Sequence, residues 1–188
     1  MAGLIQSGLW RWITRTGMER FELQHRAQEW ILRGTILLME EGFPAEARYE
    51  VICDDSWRTR RADISLRDNS GERSLRIIVE DGLWFVNGCV IDAIAGCTDI
   101  DLEWSPSTNT LPIRRLPMAI GEKSGPIVAA WVRFPSLQLE LLAQEYERIA
   151  DNRYRYTSSD GAFVAELIVD EEGIVTEYEG VWRRETAK

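Results

Sequence analysis

Leu75–Ile91, LRIIVEDGLWFVNGCVI, is the stretch whose reading decides the fold. It contains three short runs rich in β-branched and aromatic residues: Leu75–Val79, Leu83–Val86 and Cys89–Ile91. Asp81-Gly82 and Asn87-Gly88 separate them. Both dipeptides tolerate the positive φ angles of two-residue hairpin turns, so the stretch reads as an antiparallel meander.

The same pattern extends in both directions. Asp68-Asn69-Ser70-Gly71 is a turn, and Asp54-Asp55-Ser56 joins two expected strands, Arg48–Cys53 and Arg58–Leu66. Further back, Phe21 and Leu23 alternate with Glu22 and Gln24. Trp30–Leu32 and Ile36–Leu38 flank Gly34 as in a long strand with a bend or bulge, closed by Gly42-Phe43-Pro44. Towards the carboxyl end, Thr98–Trp104 sets Ile100, Leu102 and Trp104 on one face and Asp99, Asp101 and Glu103 on the other. After a loop at Ser105–Thr110, Ile127–Phe134 reads as a strand, whereas Leu137–Ile149 fits a helix or a strand. Tyr154–Thr157, Ala162–Val169 and Ile174–Trp182 close the chain as strands, the last two joined by Glu171-Glu172-Gly173. Short strands with turn signals every 8–12 residues or so, and no βαβ alternation, predict a mainly β fold. The residues leave a sandwich and a barrel open, with an antiparallel sheet and few helices in either case.

The chain's 188 residues suit one domain, 1–188. A domain of that size buries roughly 70% of its unfolded surface without disulfide or metal. A net charge of −9 argues against a nucleic-acid partner, because phosphate binding relies on positive surface. Cys53, Cys89 and Cys97 have no CxxC spacing, which predicts buried free thiols and neither a disulfide framework nor a zinc site. The start, MAGLIQSGLWRW, has no basic and apolar signal-peptide pattern, and no run approaches the ~20 apolar residues of a membrane helix. A cytoplasmic location without stable membrane insertion is therefore expected. Eight tryptophans are spread along the chain, as if several strands each gave one to a shared interior.

Chemical motifs are scarce. His25 is the single histidine, and no nucleophile elbow, phosphate-binding loop or dinucleotide fingerprint occurs, so no catalytic residue, metal or cofactor is assigned. Asp99 and Asp101 would lie about 7 Å apart on one strand face, a spacing open to glycosidic chemistry or to a solvated acidic face. Arginines crowd into WRTRR (57–61) and Arg114-Arg115. In an extended chain Arg58 and Arg60 share a face with Ala62 and Ile64, while Arg114 and Arg115 point apart. An inward arginine needs a carboxylate, such as Asp54, Asp99 or Asp101, or an anionic ligand head. In TNTLPIRRL (108–116), Asn109 suggests a turn and Pro112 favours an extended Leu111.

Gly96-Cys97-Thr98-Asp99-Ile100-Asp101 followed by Thr108–Leu116 resembles the bacterial family described as putative glycolipid-binding proteins. Gly17-Met18-Glu19, Tyr49 with Asp54, Trp57–Arg60, Asp81-Gly82 before Trp84, and Tyr154-Arg155-Tyr156 extend the likeness over nearly the whole chain. Ser107 stands where the family carries an aromatic residue. The resemblance implies a mainly β fold, an antiparallel, strongly curved sheet forming a barrel or half-barrel with few short helices, similar in outline to bacterial lipoprotein carriers. It also implies a non-catalytic binding protein holding a glycolipid-like or other amphipathic ligand in the concave face of the sheet. Trp57, Arg58, Arg60, Trp84, Asp99, Asp101, Asn109, Arg114 and Arg115 are the expected ligand-binding residues. Two alternatives stay open: a structural or interaction protein whose Asp/Arg network only stabilises the fold, and an enzyme using Asp acid/base residues on a small sugar-containing substrate.

Overall fold

The computed structural model describes residues 3–186. Its amino-terminal half is a run of hairpins: β1 (Gly3–Trp12), β2 (Gly17–Arg26), β3 (Glu29–Glu40), β4 (Phe43–Asp54), β5 (Thr59–Asp68), β6 (Gly71–Glu80), β7 (Leu83–Val86) and β8 (Cys89–Val90). The expected meander is present, and its turns have the expected backbone: φ is 50° and 79° at Asp81 and Gly82, and 50° and 86° at Asn87 and Gly88. The second half comprises β9 (Asp99–Leu102), β10 (Ile127–Val132), β11 (Leu139–Ala150), β12 (Arg153–Ser158), β13 (Phe163–Val169), β14 (Val175–Tyr178) and β15 (Trp182–Glu185). One short helix, α1 (Thr110–Arg115), lies in the connection from β9 to β10.

All the strands belong to one 15-stranded sheet in the order β8-β7-β6-β5-β4-β3-β2-β1-β15-β14-β13-β12-β11-β10-β9. Among the described residues only β9 and β10 run parallel, which the long connection carrying α1 permits. The sheet curls without closing. Its β9 end folds back to the start of β5, where the Thr59 N–H donates to Thr98 O at 3.1 Å. The Thr59 hydroxyl accepts the Ile100 N–H at 3.0 Å, and Trp84 Nε1 donates to Cys97 O at 3.0 Å. Alternate residues of the long strands, such as Phe21 and Leu23, Ala47 and Val51, or Ile64 and Leu66, fill the interior of the curl.

Several local expectations change. Leu137–Ile149 contributes a strand, because Leu142, Gln144 and Tyr146 are buried with a period of two while Leu141 faces out. Gly34 is neither bend nor bulge, and β3 keeps register through it with β2 and β4. Instead the Tyr49 ring lies across it, so a β-carbon there would sit 2.2 Å from Tyr49 Cε1. Arg60 does not share a face with Ala62. Ile52 pairs with Arg61 and Cys53 with Thr59, so Arg60 is the extra residue of a bulge and turns to solvent. The carboxylates of β9 are not a solvated face either: all four of its residues are buried, since the curl covers both sides of this edge strand. Cys53 and Cys97 are buried free thiols, but Cys89, on the two-residue outer strand β8, is exposed.

Candidate functional site

Ser105–Ile113 crosses the interior of the curl, with every residue buried. It is helical and not extended, a 3₁₀ turn over Ser107–Asn109 running into α1. Pro112 is tolerated because it lies in the first helical turn, where backbone N–H groups have no intrahelical partner. Three polar side chains of this plug tie it to different parts of the sheet. Thr108 Oγ1 accepts the Leu102 N–H at 3.1 Å, and Asn109 Oδ1 accepts the Tyr146 hydroxyl at 2.9 Å. The Thr110 hydroxyl donates to Gly173 O at 3.1 Å.

The two arginines that follow diverge. Arg115 turns inward and grips Asp99 through both Nε and Nη2. Burial pushes the Asp99 carboxyl above its usual range, against the pull of Arg115. Arg114 is exposed and lies 5.5 Å over the Trp57 ring, which itself stacks on Trp30 at 4.4 Å. Arg60 pairs with Asp54 at 3.0 Å, and Arg58 is exposed.

On the other side of the plug lies a fully buried carboxyl group, Glu19, which the sequence placed in the family likeness without a role. Glu19 Oε1 accepts the Tyr49 hydroxyl at 2.5 Å and sits 2.9 Å from Ser105 Oγ. Ser105 Oγ is in turn 2.8 Å from Ser107 Oγ. Burial pushes the Glu19 carboxyl up to about 8, with the Tyr49 and Ser105 hydrogen bonds opposing, so it is protonated at neutral pH. The signal was present in the sequence: Glu19 shares strand parity with Phe21 and Leu23, both inward. Ser107 gives this network a small hydroxyl.

Between the plug and β10–β15 is a cavity of about 300 Å³. Trp131, Leu142, Phe163 and Trp182 form much of its apolar wall, and Asp101, Ser105, Asn109 and Ser158 its polar side. It lies where β12 and β14 end and β13 and β15 begin, and its rim residues Glu103, Ser159 and Phe163 are exposed. Asp101 accepts a hydrogen bond from Gln144 Nε2 at 2.7 Å. Burial pushes its carboxyl up to about 6; the Gln144 bond opposes this and the charges of Glu103 and Asp99 add to it. Of the nine residues expected at the ligand, Asp101 and Asn109 line this cavity. Trp57, Arg58, Arg60, Trp84, Asp99, Arg114 and Arg115 do not. Arg114 instead borders a more open groove of about 810 Å³, shared with Arg148, Tyr154 and Gly173. Tyr156, Tyr178 and Trp182, which also line the 300 Å³ cavity, come from segments that the sequence marked as strands without giving these residues a ligand role. Among the described residues no group of three or more His, Cys, Asp or Glu is placed to hold a metal, and no helix is long and apolar enough to cross a membrane.

Residues 8–184 match the family described as "Putative glycolipid-binding". The chain belongs to this family. A solved structure shares its fold, that of a DUF1089 family protein from Pseudomonas aeruginosa, with 31% identity and a TM-score of 0.80. The match covers 89% of this chain and 92% of the other. No curated protein matches the sequence.

Proposed function

We propose that the chain is a non-catalytic binding domain, residues 1–188, that holds part of a glycolipid-like or other amphipathic ligand in the concave side of the curled sheet. The observation that carries this reading is the cavity behind the plug, with an apolar wall of Trp131, Leu142, Phe163 and Trp182 facing Asp101, Ser105 and Asn109. Ligand sites combine a mostly apolar lining with a few convergent polar groups in this way. At about 300 Å³ the space is at the small end of the ~300–1,000 Å³ range for such sites, enough for a head group or a short apolar segment. The rest of an amphiphile would leave past Glu103 and Phe163. The family's description supports a binding role, and the open, one-sided curl supports an outline akin to lipoprotein carriers.

Native mass spectrometry of gently purified protein should reveal an amphiphile adduct, and dodecyl maltoside below its micelle concentration should change tryptophan fluorescence saturably, since Trp131 and Trp182 line the cavity. An adduct-free spectrum together with a flat titration would reject the proposal.

A structural reading fits one part of the motif better. Arg115 and Asp99 satisfy each other beneath the plug, and this pair needs no ligand to account for it.

A further inference from the structure

We infer that the polar end of the cavity is a cation site, in which the Asp101 carboxylate and the rings of Tyr156, Phe163 and Tyr178 together take an ammonium group. This deepens the binding-protein reading and rests on the cavity being a ligand site. The three rings form a near-equilateral triangle. Tyr156 and Phe163 are 6.1 Å apart at 65°, Tyr156 and Tyr178 6.1 Å apart at 75°, and Phe163 and Tyr178 6.2 Å apart at 56°. All three line the cavity with Asp101. Two of these pairs meet edge to face, so the rings form one aromatic wall beside Asp101, and an ammonium on its cavity side would lie within the ~6 Å over which a ring attracts a cation.

Asp101 supplies the charge. Its negative field is felt by both tyrosines, whose hydroxyls it pushes upward, second to burial for Tyr156 and after burial and Tyr156 for Tyr178. Among the described residues no lysine or arginine forms an ion pair with Asp101. Arg133, the partner of the rim residue Glu103 at 3.2 Å, is also held by Glu140 at 2.9 Å. A buried carboxylate held by one amide donor is stabilised by a counterion, and Glu103 and Asp99 deepen the negative potential around it. A neutral sugar would offer hydrogen bonds and leave that charge uncompensated. An anionic head would be repelled.

The test is calorimetric, with choline and its uncharged carbon isostere 3,3-dimethyl-1-butanol as probes on the intact chain. Choline should bind at least about tenfold more tightly than the alcohol. Asp101→Asn, which keeps an oxygen for Gln144, should remove that preference. Phe163→Leu, at an exposed rim position where folding is little affected, should weaken choline several-fold and leave the alcohol unchanged. Equal affinity for the two probes, or choline binding indifferent to Asp101→Asn, overturns the inference. Dodecyltrimethylammonium separates the sources. A further gain of about tenfold over choline assigns the cation to a lipid head group. No gain assigns it to a free amine, which sustains the cation site and overturns the amphiphile reading. Dodecyl maltoside binding without any ammonium preference does the reverse.

Discussion

Tyr49 donates a hydrogen bond to Glu19 at 2.5 Å, and both side chains are buried in the curl. The geometry follows from Gly34. Phe21, Gly34 and Tyr49 stand opposite one another on β2, β3 and β4, and the tyrosine ring lies across the glycine to reach Glu19 two residues along β2.

Glu19 should make stability fall with rising pH. Its folded value, about 8, lies above its ordinary 4.5, so the folded state holds the proton more tightly than the unfolded chain. The stabilisation is complete below about pH 4.5 and is lost as pH rises through about 8. A shift of that size corresponds to roughly 4–5 kcal/mol at ~1.4 kcal/mol per pH unit. Urea melts from about pH 5 to 8.5 should show the decline in the native chain and most of it abolished in Glu19→Gln. Asp101 has the same sign but acts lower, between 3.8 and about 6, and should persist in both proteins.

Gly34→Ala should destabilise the chain by about 1–3 kcal/mol, the usual range for overpacking, since the new methyl would meet the Tyr49 ring at 2.2 Å. Moving the ring also moves its hydroxyl. Gly34→Ala and Tyr49→Phe should therefore be less than additive in denaturation.

Arg115→Ala and Arg114→Ala should differ sharply despite adjacent positions. The first strands Asp99, whose side chain is 3% exposed, and should cost about 3–5 kcal/mol. The second removes an exposed cation–π contact worth under ~1 kcal/mol. Thermal melts of the two variants decide it, and near-equal losses would contradict the described pairing.

One thiol of three should react with iodoacetamide in the native protein. Cys89 is exposed, whereas burial pushes the Cys97 thiol up to about 11 and the Cys53 thiol well above its usual range. Peptide mass mapping should find the label at Cys89, with the other two modified only after unfolding.

Strands were legible wherever a turn dipeptide or strict alternation marked them, as in the Leu75–Ile91 meander. Segments whose conformation is set by distant contacts were not. Ser105–Ile113 is held helical by Leu102, Tyr146 and Gly173, none of them near in sequence except Leu102. The acidic alternation of Asp99 and Asp101 mimics a surface strand, because an edge strand buried on both faces leaves the same pattern when its carboxylates find Arg115 and Gln144. The arginines drew notice as potential anion clamps, yet the main cavity is walled by Asp101, Asn109 and aromatic residues. Those aromatics reach it from β10 and β12–β15, and only the sheet order brings them together.

That order has a kinetic consequence. Each strand pairs with a strand next to it in the chain except at one seam, where β1 meets β15. The hairpins need only short loops to close, whereas the seam joins residues from opposite ends of the sequence and carries the largest loop-closure entropy. It should form last. Trp12 and Trp182 face each other across it at 4.6 Å, so their coupled ultraviolet circular dichroism would time the final zipping step. Every residue that lines the cavity lies on the β9–β15 side of the seam, so the pocket belongs to the second half of the sheet and can take shape before that step. A bound ligand would act as a fastener for that half alone, holding β9–β15 together and leaving the timing of the seam unchanged.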